Sequence, residues 1–225
     1  MVAAKCVLFD FDGTLMNTWP GIERTIRSTL KALDIPIRES VIDRALVGIP
    51  LSKVFQEILG SDSDSADLAT RKYRELFPLV GIAGARPYKG VPGMLRNLRS
   101  GERDLFLVTA RNETIARQML SDHGLSGFFN WVRGEREDEV SDGKSHMVAE
   151  VLKKFSLIPG ECVLVGDRRY DMDAAKSNGV PAVGVTYGYG TKLELLEAGA
   201  ARLAGSIAEL EGILLNTDSV LRITN

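Results

Sequence analysis

The sequence is poor in the residues on which many enzymes depend. It has two histidines, His123 and His146, in 225 residues, which argues against a three-histidine zinc site and weakens any Ser/His triad. Its two cysteines, Cys6 and Cys162, lie inside the apolar runs CVLF and CVLV, where a thiol behaves as a small buried hydrophobe and not as a nucleophile. No run approaches the ~18 apolar residues that a membrane span needs, and no basic stretch precedes a long apolar segment at the start of the chain. A cytoplasmic location and no membrane partner are therefore expected. Charge of one sign is also missing: 28 Lys plus Arg stand against 30 Asp plus Glu, a net of -2, so no global field draws in a polyanion and nucleic acid is not an expected partner. With so little imidazole and thiol, carboxylates must carry most of the chemistry.

What is present fits a globular enzyme. The length exceeds one average domain and falls short of two, which points to a main domain with a smaller insert. The 44% hydrophobic and 26% charged content is ordinary for a chain with a sizeable core. Four short continuous apolar runs, Cys6 to Phe9, Leu105 to Val108, Cys162 to Val165 and Ala182 to Val185, have the pattern of parallel strands covered on both faces. Each stops at a polar residue: Asp10, Thr109, Asp167 and Thr186. Helical periods lie between the later runs, as in Ile115, Met119, Leu120 and in Val148, Val151, Leu152, Phe155. Strand then helix, repeated, predicts a doubly wound, Rossmann-like α/β sheet. Ser206 and Glu209 have capping-box spacing ahead of Leu210, Ile213 and Leu214, which predicts a closing helix.

Between Asp12 and Leu105 the pattern changes. Ile22, Ile26, Leu30 and Leu33 share one helical face, Leu51, Val54, Phe55, Ile58 and Leu59 another, and a polar stretch from Gly60 to Asp67 separates these from a helical segment around Tyr73, Leu76 and Phe77. Residues 16–84 are expected to form an all-helical inserted domain, with 1–15 and 85–225 as the α/β core. Gly and Pro accumulate at Met16 to Pro20 and Val80 to Pro87, the expected hinges. The charge-rich GEREDE segment, Gly134 to Glu139, is expected to be a solvated loop.

The strongest chemical signal is Asp10-Phe11-Asp12-Gly13-Thr14, directly after the first apolar run. In an extended chain Asp10 and Asp12 project the same way. Two carboxylates so placed are costly unless a cation neutralises one or one keeps its proton, and both arrangements suit catalysis; a solvated turn is the plain alternative. Gly13 permits a turn whose amides can meet an anion. The second signal is Gly166-Asp167-Arg168-Arg169-Tyr170-Asp171, where Asp167 ends a strand and Asp171 opens a helix, with simple capping of that helix as the plain alternative. Ligands of open α/β sheets gather at the carboxyl ends of strands, where Asp10, Asp12, Thr109 and Asp167 all belong. Oxygen donors without His or Cys describe a hard-cation site, best suited to Mg²⁺.

With these residues in hand, the chain resembles the haloacid dehalogenase superfamily of phosphotransferases, and within it the phosphatases with a helical cap after the first motif, phosphoglycolate phosphatases and small nucleotidases above all. Four motifs stand in order: Asp10 to Thr14, Thr109 after LFLV, Lys144, and Gly166-Asp167 with Asp171. The resemblance implies Asp10 as nucleophile and Asp12 as general acid and base, with Thr109 and Lys144 completing the catalytic set. It further implies phosphate binding by Gly13, Thr109, Ala110 and Lys144, and Mg²⁺ held by Asp10, the Asp12 carbonyl and Asp167, with Asp171 beside the metal. The chemistry fits, since a cation and Lys144 would offset the charge of a phosphate monoester while Asp10 attacks in line. Two departures stand out. Lys144 is followed by Ser145 where many relatives have Pro, and Ala110-Arg111 follows Thr109. Arg111 has two readings, a contact with the substrate anion or a salt bridge elsewhere. The Gly188-Tyr189-Gly190 stretch reads as a mobile turn.

Other functions fit these residues less well. A second carboxylate at Asp12 argues against dehalogenation, since a halide leaves without a proton. A phosphonate hydrolase would need a cap lysine shortly after Gly48, and Lys53 stands one turn position too late. A sugar phosphomutase needs cap groups that nothing here identifies. A non-catalytic phosphate-binding module is at odds with an intact Asp10, Asp12, Lys144 and Asp167. The expected function is a Mg²⁺-dependent phosphatase acting on a small phosphate monoester, as a monomer or homodimer, with the cap roofing the strand ends. Arg24, Lys53 and Arg74 are the cap's candidate specificity residues.

Overall fold

A computed structural model describes residues 5–37, 39–49, 51–60, 63–136 and 143–216. The described chain divides into two compact units, one ending at Met16 and resuming at Pro87, the other spanning Asn17–Arg86. The strands are β1 (Cys6–Phe9), β2 (Met16–Asn17), β3 (Arg86–Pro87), β4 (Asp104–Asn112), β5 (Trp131–Glu135), β6 (Cys162–Gly166), β7 (Ala182–Val185) and β8 (Arg202–Ala204). The helices are α1 (Trp19–Ala32), α2 (Leu51–Leu59), α3 (Ser63–Leu76), α4 (Val91–Ser100), α5 (Glu113–Asp122), α6 (Gly143–Lys154), α7 (Arg169–Ser177), α8 (Lys192–Glu197) and α9 (Ile207–Leu215).

The first unit is built on a six-stranded sheet of order β5-β4-β1-β6-β7-β8 in which every pairing is parallel. This is the doubly wound α/β fold that the apolar runs predict. The chain fills the sheet outward from β1 on one side and then returns to fill the other, so the strand order reverses beside β1 and leaves a crevice at its carboxyl end. All four residues of β1 are buried, which is why it reads as a continuous CVLF run and not as an alternation. Its odd-even pleat still sorts the side chains. Cys6 and Leu8 join Phe106, Val108, Cys162 and Leu164 in one cluster with Met147, Val148 and Val151 of α6 and Met172 and Ala175 of α7. The two cysteines stand opposite each other across β1 and β6 as free, buried thiols. A hydrogen bond with Cys162 and burial push the Cys6 thiol well above its usual range, which disfavours the reactive thiolate.

Several elements differ from expectation. The sheet has two further strands, β5 and β8. GEREDE is not a loop from its start, because Gly134 and Glu135 finish β5 and Gly134 is buried; residues 137–139 lie outside the described residues. β5 carries a buried Arg133 paired with Glu150 at 2.6 Å, so an apolar-run search passes over it. The helix α4 is a further element beyond those expected. It begins at Gly90, whose φ is 101°, and Pro92 is pre-set for its first turn. Ser206 Oγ accepts from Glu209 N at 3.2 Å, but Glu209 reaches Gly205 N at 2.7 Å and not the N-cap amide.

The second unit is helical. Ile22, Ile26 and Leu30 of α1 are buried, as are Val54, Phe55 and Ile58 of α2 and Ala66, Ala69 and Tyr73 of α3. Leu33 falls just outside α1 as its C-cap. Phe55, Tyr73 and Phe77 stack in sequence, with ring centroids 5.9 and 5.5 Å apart. The polar stretch ends sooner than expected, since Ser63 to Asp67 already belong to α3. The expected hinge from Val80 is itself helical: a π-turn over Phe77–Gly81 and a 3-10 turn over Ile82–Gly84 continue α3. Gly21 allows this turn to close on α1, because a Cβ there would overlap the Gly81 carbonyl.

Candidate active site

Every candidate catalytic, phosphate-binding and metal-binding residue lies in the α/β unit, whereas Arg24, Lys53 and Arg74 lie in the helical one. Asp10 follows β1, and its amide donates to Val165 O of the neighbouring β6 at 2.8 Å. The chain then doubles back: the amides of Leu15 and Met16 both reach Phe11 O, and Gly13 N reaches Met16 O. Gly13 has a φ of 78°, and a Cβ there would overlap the Asp167 carboxylate. Glycine is thus required twice at this position, for the left-handed turn and for the close approach of Asp167.

Asp10, Asp167 and Asp171 converge, each offering a carboxylate oxygen within 4.8 Å of the others. All three are buried. Lys144, on the first turn of α6, lies between two of them, its Nζ 2.6 Å from Asp10 Oδ1 and 2.5 Å from Asp171 Oδ1. Asp171 also caps α7, accepting from Arg168 N at 3.0 Å, so the capping reading and the cluster reading both hold. Asp167 accepts from Thr14 Oγ1 at 3.4 Å and from Tyr189 N at 2.7 Å. The Asp12 carboxylate is not part of this cluster. It is held by Arg111, with Nη2 2.6 Å from Oδ1 and Nε 3.0 Å from Oδ2. The salt-bridge reading of Arg111 is therefore realised, but inside the site. Thr109 is buried near the carboxyl end of β4, its Oγ1 accepting from Arg111 N at 3.1 Å, and Ala110 is exposed.

The electrostatics favour a cation. Three carboxylates face one ammonium; with all three ionised, two negative charges are left over, which matches a divalent ion, and an all-oxygen set suits a hard metal. Burial pushes the Asp10 carboxyl up to about 7; Lys144 opposes the shift, while Asp171 and Asp12 add to it. Asp167 is raised well above the usual carboxylate range by burial and by Asp10 and Asp171. Burial pulls on Lys144 in the opposite direction, but the Asp10 and Asp171 carboxylates outweigh it and keep the amine charged.

These shifts set a sign. A carboxyl with a raised folded pKa binds its proton more tightly in the folded than in the unfolded chain. Its contribution is fully present below the ordinary value of 3.8 and is lost as pH rises through about 7. Metal-free protein is expected to lose thermal stability between about pH 5 and about pH 8, with a divalent cation restoring more of it at the upper end. Melting curves in chelator check this, and a melting temperature that climbs across the window would contradict it.

Two features escaped the sequence. Gly188-Tyr189-Gly190 is a packed turn and not a loose one: a Cβ at Gly188 would overlap the Asp167 side chain and one at Gly190 the Asp167 carbonyl. Tyr187 donates to Thr14 O at 3.0 Å and stacks edge-on against Tyr88 with centroids 5.0 Å apart. The glycine pair was the visible signal, but its purpose is close approach to Asp167. Arg111 stands out in sequence as a departure from the family pattern, but nothing local marks Asp12, 99 residues away, as its partner.

A six-stranded parallel sheet with its carboxylates gathered at the crevice defines the class, and comparison with known proteins gives the family. Residues 7–185 match the family described as haloacid dehalogenase-like hydrolase, and the chain belongs to it. It is 29% identical to a 5'-nucleotidase of Pseudomonas aeruginosa over 92% of this chain and 94% of that protein. It is also 29% identical to a phosphoglycolate phosphatase of Neisseria meningitidis, over 92% of each. Among solved structures, a predicted phosphatase from Clostridium acetobutylicum superposes with a TM-score of 0.86 at 29% identity, over 95% of this chain and 99% of that one. No helix among the described residues is long and apolar enough to cross a membrane.

Proposed function

We propose that the protein hydrolyses a small phosphate monoester, of the phosphoglycolate or nucleoside monophosphate type, through an aspartyl-phosphate on Asp10. It is a phosphoric monoester hydrolase of the haloacid dehalogenase-like family. The observation that carries the reading is the buried Asp10, Asp167 and Asp171 cluster with Lys144 inside it, in a chain that matches a 5'-nucleotidase and a phosphoglycolate phosphatase over nine-tenths of both lengths. Asp10, Asp167 and the Asp12 carbonyl, with Asp171 alongside, would hold Mg²⁺, whose positive charge offsets that of the phosphoryl oxygens.

The chain's own residues account for the bond changes. An Asp10 oxygen attacks phosphorus in line as the bond to the ester oxygen breaks, and Asp12 gives its proton to that leaving oxygen. Asp12 then takes a proton from water as it attacks the aspartyl-phosphate, which releases inorganic phosphate and restores Asp10. Lys144, Thr109 and the amides of Gly13 and Ala110 hold the phosphoryl oxygens, and Lys144 offsets charge without moving a proton. All of these groups belong to the α/β unit.

The test is a panel containing 2-phosphoglycolate, a nucleoside 5'-monophosphate, an aryl phosphate and a phosphopeptide, each assayed with Mg²⁺, Ca²⁺ or chelator. Activity is expected with Mg²⁺ on the small esters and inhibition with Ca²⁺, which accepts more oxygens at longer range and misaligns Asp10. Full activity in chelator would overturn the metal assignment, and preference for the phosphopeptide the substrate class. Asp12→Asn is expected to slow alkyl phosphates by a factor of about 100 or more and an activated aryl phosphate far less, because only the poor leaving group needs the proton. Equal losses on the two esters would remove Asp12 from the acid role.

A further inference from the structure

Asp12 and Arg111 form a pair that the proposed chemistry cannot use as it stands. The guanidinium occupies both carboxylate oxygens: Nη2 and Nε reach Oδ1 at 2.6 and 3.1 Å, and Nε reaches Oδ2 at 3.0 Å. Both side chains are largely shielded, 10% exposed for Arg111 and 16% for Asp12, so the pair is not a screened surface contact. With both carboxylate oxygens engaged by the guanidinium, Asp12 has neither of them turned to a leaving group. For Asp12 to serve a leaving group, the fork must open.

The position of Arg111 in the chain indicates what opens it. Thr109, Ala110 and Arg111 lie in the stretch of β4 where the register against β5 shifts, between Val108 and Asn112. The backbone of Arg111 is tied to Thr109 Oγ1 at 3.1 Å, so an anion received at Thr109 and Ala110 arrives two residues from the guanidinium. A phosphoryl dianion offers more charge and more acceptor oxygens than a single carboxylate, and Arg is the side chain suited to bidentate capture of either.

We propose that Arg111 is a latch: it holds Asp12 until anionic oxygens of the substrate draw its guanidinium away, and in doing so it both contacts the substrate and frees Asp12. This rests on the phosphatase reading of the site. Arg111 is on this account a substrate-contacting and positioning residue, and its exchange of partners couples substrate binding to the freeing of the Asp12 oxygens.

Two measurements test it. In the first, the Arg111 Nε–Hε resonance of the full chain with Mg²⁺, assigned by its loss in Arg111→Lys, is followed during titration with inorganic phosphate at fixed ionic strength. The signal is expected to shift saturably; a resonance unmoved at saturating phosphate overturns the latch. In the second, Arg111→Met and Arg111→Lys are compared with wild type on an alkyl and an aryl phosphate. KM for the alkyl ester is expected to rise about tenfold or more in Arg111→Met and less in Arg111→Lys. An unchanged KM with an equal fall in kcat on both esters would make Arg111 a structural prop and overturn the proposal. Should wild type cleave no phosphate monoester while phosphate still shifts the resonance, the phosphatase reading fails, and with it the link from Arg111 to a leaving group, although Arg111 still responds to the anion. Cleavage with an unmoved resonance is the reverse result.

Discussion

Asp10→Asn is expected to reduce turnover of every phosphate monoester to below about 1% of wild type while leaving the fold intact, because an amide of nearly the same shape is a poor nucleophile. The structure adds a stability expectation. Asp10 is buried, and burial pushes its carboxyl up to about 7, so without metal its ionised form is costly above that pH. The amide oxygen can still accept from Lys144, whose second partner, Asp171, is untouched. Metal-free Asp10→Asn is therefore expected to melt no lower than metal-free wild type at about pH 8, and to respond less to Mg²⁺. Steady-state rates on an aryl and an alkyl ester, with parallel melts, check both halves. Substantial turnover in a contaminant-free preparation would remove Asp10 from the nucleophile's place, and a variant that melts far lower would mean that the ionised carboxylate is a structural requirement.

Lys144→Met carries the second large effect, on activity and stability together. Lys144 is the ammonium between Asp10 and Asp171, and removing one partner of a buried pair costs about 3–5 kcal/mol because it strands the other charge. Here it strands two. The loss is expected to be largest at alkaline pH and to shrink as pH falls toward about 7, because Lys144 holds the Asp10 carboxyl down to that value and without it Asp10 keeps its proton to higher pH. A divalent cation should recover stability but not turnover, since the charge that offsets the phosphoryl group would still be missing. Denaturant titrations at two pH values, with and without Mg²⁺, measure this. A stability loss independent of pH and metal would mean that Lys144 acts through packing alone.

The α/β class, four of the six main strands and the order of the motifs were legible because they rest on local rules. A strand buried on both faces must be apolar throughout, and a strand that ends at a ligand crevice must stop at a polar group. CVLF before Asp10 and CVLVG before Asp167 obey both. The helical insert was legible for a similar reason: Ile22, Ile26 and Leu30, and then Val54, Phe55 and Ile58, repeat at helical spacing whatever lies beyond them. β8 spans three residues, too short to show a period. β5 holds Arg133, whose buried charge is met by Glu150 of α6, a partner 17 residues along the chain, with the Gly134 carbonyl as a further acceptor.

The candidate site divides in the same way. Its residue types were fixed by sequence, since a pair of aspartates beside a glycine and a further aspartate ending a strand already specify carboxylate chemistry at a strand end. Which charges meet was decided by the tertiary structure. The close spacing of Asp10 and Asp12 predicts one shared electrostatic problem, yet the fold gives each carboxylate its own cation, Lys144 for Asp10 and Arg111 for Asp12. Those partners lie 134 and 99 residues away and arrive on α6 and β4, a separation over which hydrophobic periodicity carries no information. Gly188 and Gly190 likewise read as a loose turn until packing brought Asp167 against them, because the need for a missing side chain depends on what occupies its space.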